Sequence, residues 1–222
     1  MENRLSRETV ADAALALADA EGLEALTIRR LAQDLGVTPM ALYWHFKNKD
    51  ELLSGVVDRL WDRVDTARDR SLPLLDQFRA LVESVATVLR AHRTLVPLLE
   101  MPRDHEPSLG FLEATETALQ ILTEYGFDTE RAASICGNAL RTAIALVLGE
   151  PGAATPQQSP EDVTEMIRRK RLRLETLPQQ RYPRVVEAAG YLTSCEPERH
   201  YSFGLDFFMA ALTALPRPVQ PG

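Results

Sequence analysis

Residues Thr27 to Lys49 read T-I-R-R-L-A-Q-D-L-G-V-T-P-M-A-L-Y-W-H-F-K-N-K, a pattern of two short helices joined by a tight corner. Leu31, Ala32 and Leu35 recur at helical spacing, and Gly36 follows where the chain must turn. Thr38 offers a side-chain oxygen to cap a second helix, with Pro39 in its first turn, where a missing N–H costs nothing. Small residue (Ala32), turn glycine (Gly36) and packed apolar residue (Leu42), in that order, let two helices cross closely, which is the geometry of a helix-turn-helix. Leu42 and Phe46 share a face at i, i+4 and are expected to be buried. That leaves Thr38, Pro39, Met40, Tyr43, Trp44 and His45 facing outward, followed by Lys47 and Lys49.

Such a surface suits a nucleic-acid duplex. A recognition helix enters the major groove with its N-terminal residues at base edges while its flanks grip phosphates. Thr38, Pro39 and Met40 occupy the base-reading end. Tyr43 and His45, with Trp44 between them, can reach phosphate oxygens, and Lys49 supplies a charge just beyond the helix. Thr27 and Arg29, at the start of the preceding helix, can hold a second phosphate with help from the helix dipole. A small aromatic core is the competing account of Tyr43, Trp44 and Phe46, but three adjacent bulky residues cannot all point inward.

Net charge cuts the other way. The 222 residues carry −7, and residues 1 to 50 alone hold six Lys or Arg against eight Asp or Glu. Placement must compensate. No acid occurs from Val37 to Lys49, and Arg29, Arg30, Lys47 and Lys49 flank the recognition helix. Asp12, Asp19, Glu21 and Glu24 are then expected on the far side. Affinity for duplex should be modest and fall steeply with salt.

Helical periodicity continues along the whole chain, with no strand alternation and no internal repeat, so the fold is expected to be all-α. Residues 6 to 26 form a first helix, capped by Ser6, with Val10, Ala13, Ala14, Leu17 and Ala18 on one stripe and Gly22 at its end. Asn48 and Glu51 make an Asn-x-x-Glu cap for a long amphipathic helix that carries Leu52, Leu53, Val56, Val57, Leu60, Trp61 and Val64 and ends near Arg70. Further helices are expected at Leu74–Ala91, His92–Met101 (broken by Pro97), Ser108–Tyr125, Asp128–Leu148, from Pro160 with a basic face over Arg168–Arg173, and Pro197–Leu215. Gly149–Ser159 reads as a polar, proline-rich linker, and the tail from 216 to 222 is expected to be disordered. The expected organisation is a three-helix DNA-binding domain over 1–48, joined by a long helix to a helical domain over 49–222.

The run L-T-I-R-R-L-A-Q-D-L-G-V-T-P-M-A-L-Y-W-H-F-K-N-K-D-E-L-L, within residues 7 to 53, resembles the DNA-binding domain of the tetracycline-repressor (TetR) family. L-Y-W-H-F-K-N-K-x-x-L-L is highly specific. Residues 128 to 149 and 198 to 215 are more loosely similar to the two helices through which that family dimerises. The resemblance implies a homodimer that represses transcription and lets go of double-stranded DNA when a small-molecule effector occupies the C-terminal domain. One helix-turn-helix reads only a few base pairs, so a two-fold protein on an inverted-repeat operator is expected, and two cysteines with no disulfide framework suit the cytoplasm. It also implies that Trp61, Val85, Met101 and Phe111 are apolar walls of an effector pocket and that Arg103 lies near its ligand. Two histidines important to tetracycline binding in the family are replaced here by Leu99 and Arg141, so a magnesium-chelated tetracycline is not expected.

Spacing adds two expectations for the C-terminal helices. Ser134, Asn138, Arg141 and Thr142 recur at i+3 and i+4, a polar stripe that is either a solvated face or a cavity wall bearing one fixed positive charge. Arg141 and Arg103 together favour a ligand with an acidic or strongly polar edge. Ala132, Ala139, Ala143 and Val147 on the one helix, and Gly204, Ala211 and Ala214 among Phe203, Phe207 and Phe208 on the other, form surfaces suited to close helix crossing, either between protomers or in an ordinary core.

Other function classes find less support. Four histidines (His45, His92, His105, His200) show no metal-ligand spacing, and there is no phosphate-binding glycine loop and no Gly-x-Ser-x-Gly. Two cysteines, Cys136 and Cys195, make no disulfide framework, and Cys195 with His200 is the one conceivable thiol–base pair. No catalytic residue, cofactor or metal is expected. The longest apolar run, Ala143–Leu148, is far short of the ~20 residues of a membrane span. The alternative to DNA binding is a helical adaptor that docks a protein through Tyr43 and Trp44.

Overall fold

A computed structural model of the chain describes residues 5–100, 106–150, 159–194 and 196–216. Among the described residues there are eleven α-helices and no strand, as helical periodicity predicts. The chain divides into two compact units, one of Met1–Leu148 with Phe207–Gly222, the other of Gly149–Asp206.

In the first unit, α1 (Arg7–Glu21) starts where the Ser6 hydroxyl accepts the Thr9 N–H at 3.1 Å and stops at Gly22, whose φ of 91° no side-chain-bearing residue adopts comfortably. Helices α2 (Ile28–Asp34) and α3 (Pro39–Tyr43) follow, each capped by the threonine before it, Thr27 on Arg30 N and Thr38 on Ala41 N. Helix α4 (Lys49–Trp61) is capped by Asn48, whose side chain accepts the Glu51 N–H at 2.8 Å. Val10, Ala14, Leu26, Leu31, Leu42, Phe46, Leu52 and Val56, all essentially inaccessible, make one core under these four helices.

Helix α4 ends at Trp61, nine residues short of the expected terminus near Arg70. One local and several longer-range contacts hold the following segment instead. The Asp65 carboxylate accepts Ala67 N at 2.9 Å, and the Ser84 hydroxyl accepts Asp65 N at 2.7 Å. Arg68 clamps Glu124 through both guanidinium nitrogens, at 2.9 and 2.6 Å, and donates to Gln77. An extended strap satisfies these groups, and a continued helix would carry them away from their partners.

Helices α5 (Leu74–Ala91), α7 (Leu109–Tyr125) and α8 (Thr129–Leu148) pack together, with a 3-10 turn at Arg93–Leu95 and the short α6 (Pro97–Glu100) between the first two. Ala132, Ala139, Ala143 and Val147 of α8 are buried in this protomer's own core. Of the two roles open to this small-residue stripe, intrachain packing is the one it fills. By length and composition alone α8 would also cross a bilayer, the one described helix to do so.

In the second unit α9 (Pro160–Glu175) packs on α10 (Pro183–Leu192). Sequence periodicity misses α10. The basic face of α9 is laced by pairs within the helix: Arg168 and Arg169 bracket Glu165, and Arg171 meets Glu175. The arginines hold the Glu165 carboxyl down at about 2. Helix α11 (Pro197–Ala214) closes the described chain. Met101, Arg103, His105, Cys195, most of the expected linker (151–158) and the tail from 217 lie outside the described residues.

Candidate functional site

The corner between α2 and α3 is built as its residue types require. Gly36 takes φ 65°, and Val37 N donates to Ala32 O at 2.9 Å, drawing the chain over the small alanine. Leu42 and Phe46 point inward with no accessible surface. Opposite them, Met40 is 67% exposed, Tyr43 47% and Trp44 85%, and Thr38 and Pro39 are exposed beside them. Three adjacent large apolar residues in water at a helix end are unusual for a structural surface and are what a groove-reading helix needs. His45 is half-buried, and its carbonyl accepts a hydrogen bond from Arg7 Nη1 at 2.8 Å.

Arg7, which sequence reasoning passed over, fixes this end of the site. Its guanidinium stacks 4.3 Å from the centre of the Phe46 ring and pairs with Glu51 at 2.9 Å. Glu51 also accepts Lys47 N at 2.8 Å, and the two donors, Arg7 foremost, hold its carboxyl below the ordinary 4.5.

Charge around the reading helix is sorted by pairing. Thr27, Arg29, Lys47 and Lys49 are exposed, and among the described residues the three cations enter no ion pair. Arg30 departs from the expectation that it flanks the helix as an available cation, because Glu21 and Asp34 both hold its guanidinium. Two acids of α1 are held on the side away from the reading helix, while Glu24 is exposed. Asp12 receives Arg59 (3.0 Å) and Arg63 (3.3 Å), and Arg59 above all lowers its pKa. Asp19 accepts from His92 Nδ1 at 2.6 Å, while His92 Nε2 faces Arg63 Nη1 at 2.9 Å. An arginine only donates, so Nε2 accepts and Nδ1 carries the proton.

Two glycines seat α4 between the reading head and the rest of the unit. At Gly55 an added Cβ would stand 2.6 Å from the Phe46 ring. At Gly110 it would stand 2.7 Å from the Trp61 carbonyl carbon and 2.9 Å from Asp62 N. Both helix crossings exist because these side chains are absent.

Beyond Trp61 the unit holds a partly open cavity of about 280 Å³. Trp61, Val85 and Phe111 line it, as the family resemblance implies, with the Trp61 and Phe111 rings edge to face at 5.0 Å between centres. Phe78, Ala114, Thr115, Ala118, Cys136 and Gly137 also line it. Sequence spacing missed these because small apolar residues on a helix read equally well as close packing. Burial pushes the Cys136 thiol up to about 11. Asn138, Arg141 and Thr142 do not line the cavity. Asn138 and Arg141 are exposed, Thr142 is half-buried, and Asn138 donates to Ser134 O at 2.8 Å; the Arg141 guanidinium lies over Gly137, its Nη2 3.2 Å from where a Cβ there would stand. The polar stripe is the solvated face, because the α8 face turned to α5 and α7 is already filled by Ala139, Leu140 and Ala143. Leu99 packs against the core rather than the cavity. Among the described residues no group of three potential metal ligands converges.

Comparison with known proteins agrees with this geometry. The family model described as bacterial regulatory proteins, tetR family, matches residues 10–56, and that of the tetracyclin repressor-like C-terminal domain matches residues 73–215. The tetracycline repressor protein class C of Escherichia coli is 33% identical over 165 residues, 72% of this chain and 69% of its own. The crystal structure of the Streptomyces coelicolor TetR family protein ActR in complex with actinorhodin superposes with a TM-score of 0.82 and 28% identity, over 96% of this chain and 97% of that one. BioQ with its double-stranded DNA operator gives a TM-score of 0.60 and 25% identity, over 96% of this chain and 100% of the other. With both halves of the chain matched and its reading head and cavity in place, the protein belongs to the TetR family of ligand-responsive, DNA-binding transcriptional regulators.

Proposed function

We propose that the chain is a cytoplasmic homodimeric repressor that reads an inverted-repeat operator with α3 and leaves it when a small molecule enters the cavity behind Trp61. The observation that carries this reading is the exposure of Met40, Tyr43 and Trp44 on a helix whose other face buries Leu42 and Phe46. Thr38, Pro39 and Met40 meet base edges. Tyr43, Trp44 and His45 lie along the backbone, and Thr27, Arg29 and Lys49 bracket phosphates. ActR with its bound small molecule and BioQ with its operator support both halves of the cycle.

One helix-turn-helix reads only a few base pairs, so an inverted repeat requires two heads on a two-fold axis. Helix α11 offers a surface for it, with Phe203 and Phe207, one turn apart, each 70% exposed. The domain boundary on this reading falls at Asn48, with the reading head over 1–48 and the effector and dimer functions over 49–222.

Selection of sites from a random duplex pool tests the reading. The purified protein should enrich an inverted repeat, a Tyr43→Ala variant should not, and light scattering should give twice the mass of one chain, reduced to one by Phe207→Glu. Failure to enrich any duplex at low salt would overturn it, and binding that ignores salt would favour a protein-docking adaptor.

A further inference from the structure

The major groove shows each base pair a distinct set of donors and acceptors, and few kinds of side chain read them. Arginine or lysine pairs with guanine, asparagine or glutamine with adenine, and a carboxylate accepts from cytosine. From Val37 to Phe46, a stretch that contains the whole of α3, none of these residue types occurs. Arg29 and Lys47 stand outside the reading helix, the first on α2 and the second past the end of α3.

What α3 exposes is carbon. Met40 is 67% exposed, and Pro39, exposed beside it, has no N–H to donate. Leu42 and Phe46 are buried on the opposite face, so this surface cannot turn inward. Two hydroxyls accompany it, those of Thr38 and Tyr43. Thr38 turns its oxygen to the Ala41 N–H as the helix cap. A hydroxyl donates or accepts as its rotor allows, so neither residue alone tells one base from another. His45 is half-buried beyond the helix.

Thymine is the one base with an apolar group on its major-groove edge, the C5-methyl. Resting on the operator reading above, we infer that α3 reads its half-site through thymine methyls, with Met40 and Pro39 setting the preference. The pairs beneath these two residues are A·T, each with its methyl toward the protein, and no bidentate hydrogen bond from α3 holds a purine there. Burying one such carbon against Met40 is worth roughly a 4-fold change in affinity, and an inverted repeat counts it twice.

The test changes the DNA and leaves the protein intact. The operator selected from the random pool is resynthesised with uracil for thymine, one symmetric pair of positions at a time, which removes the methyl and keeps every donor and acceptor on the groove edge. At one or two positions the full-length protein should bind about 10- to 25-fold more weakly at fixed salt. At those positions 5-methylcytosine, which returns the methyl on a G·C pair, should bind roughly 10- to 25-fold better than cytosine when both half-sites carry it. In Met40→Ala the uracil penalty should largely disappear, and in Met40→Leu, which keeps the carbon surface, it should persist. A penalty that arose from duplex shape would be the same in all three proteins.

Uracil binding as tightly as thymine at every position would overturn the assignment and leave the operator reading standing. So would a uracil penalty that Met40→Ala does not reduce, or a selected half-site without thymine. A pool from which no duplex is enriched at low salt overturns both, so the emergence of a motif tells the two failures apart.

Discussion

Replacing Gly110 with alanine should loosen the joint between α7 and α4. The new Cβ would stand 2.7 Å from the Trp61 carbonyl carbon and 2.9 Å from both its oxygen and Asp62 N. These are backbone atoms at a helix end and cannot swing aside. Overpacking of this kind costs about 1–3 kcal/mol, against at most ~1 kcal/mol gained from alanine's better helix propensity, and less in a first turn. The net expectation is a loss of about 1–2 kcal/mol, or roughly 2–8 °C in Tm for a chain of this length. Gly137→Ala is the matched control. There the nearest atom is Arg141 Nη2 at 3.2 Å, the free end of a flexible side chain, so the same methyl should stabilise α8 by about 0.5–1 kcal/mol. Urea unfolding followed by circular dichroism, at one protein concentration because a dimer's stability depends on it, reads both. The reasoning fails if Gly110→Ala is as stable as the parent, or if the two variants are equally damaged.

Substitutions at four further positions probe the reading head. Asn48→Ala removes the α4 cap on Glu51 N and should cost about 1 kcal/mol, recovered by Asn48→Asp, in the same unfolding assay. Glu51 titrates below 4.5 in the fold because Arg7 and Lys47 N favour its charged form. Its contribution to stability is therefore complete above 4.5 and is lost as pH falls through the lower folded value. Tm against pH should accordingly show Glu51→Gln below the parent at neutral pH, with the two curves converging in acid. Lys49→Ala should flatten the dependence of log operator affinity on log salt by roughly 0.9, one phosphate's worth, whereas Arg30→Ala should leave the slope unchanged because Glu21 and Asp34 already hold that guanidinium.

What could be read from the chain was whatever a few neighbouring residues decide. Ser6, Thr38 and Asn48 each cap a helix within three residues of themselves, Gly36 turns the corner, and Leu42 with Phe46 sorts the aromatics around them into one buried and two exposed. Partners far away in sequence decided the rest. The end of α4 depends on Arg68 meeting Glu124, 56 residues on, and no local signal marks that pairing. The α8 stripes were legible as stripes, but which one faced inward depended on where α5 and α7 lay. Arg7, Gly55 and Gly110 are ordinary residues until the elements they meet are in place. Helix α10 lacks a side-chain cap, with Tyr182 at its N-cap, so only Pro183 marked its start.

Those same long-range contacts determine how a ligand could be felt by DNA. Gly55 and Trp61 are six residues apart on α4, about 9 Å along the axis. At one point the helix backbone rests on the Phe46 ring, and at the other α7 rests on it, each so closely that one methyl would not fit. Alongside, Arg59 and Arg63 bind Asp12 of α1, and Arg63 meets His92, which donates to Asp19. Helix α1, α4 and the end of α5 are thus tied side chain to side chain, and with so little slack a displacement of Trp61 is carried to Phe46, and so to α3, instead of being absorbed between them. On the proposed reading, a ligand stacked on Trp61 releases DNA only as far as it prefers one position of that block. A 100-fold preference amounts to about 2.7 kcal/mol, comparable with the Gly110→Ala change. A variant that slackens the joint should therefore bind its effector nearly as well as the parent and release the operator less. Parallel loss of binding and release would instead place the coupling elsewhere than in α4.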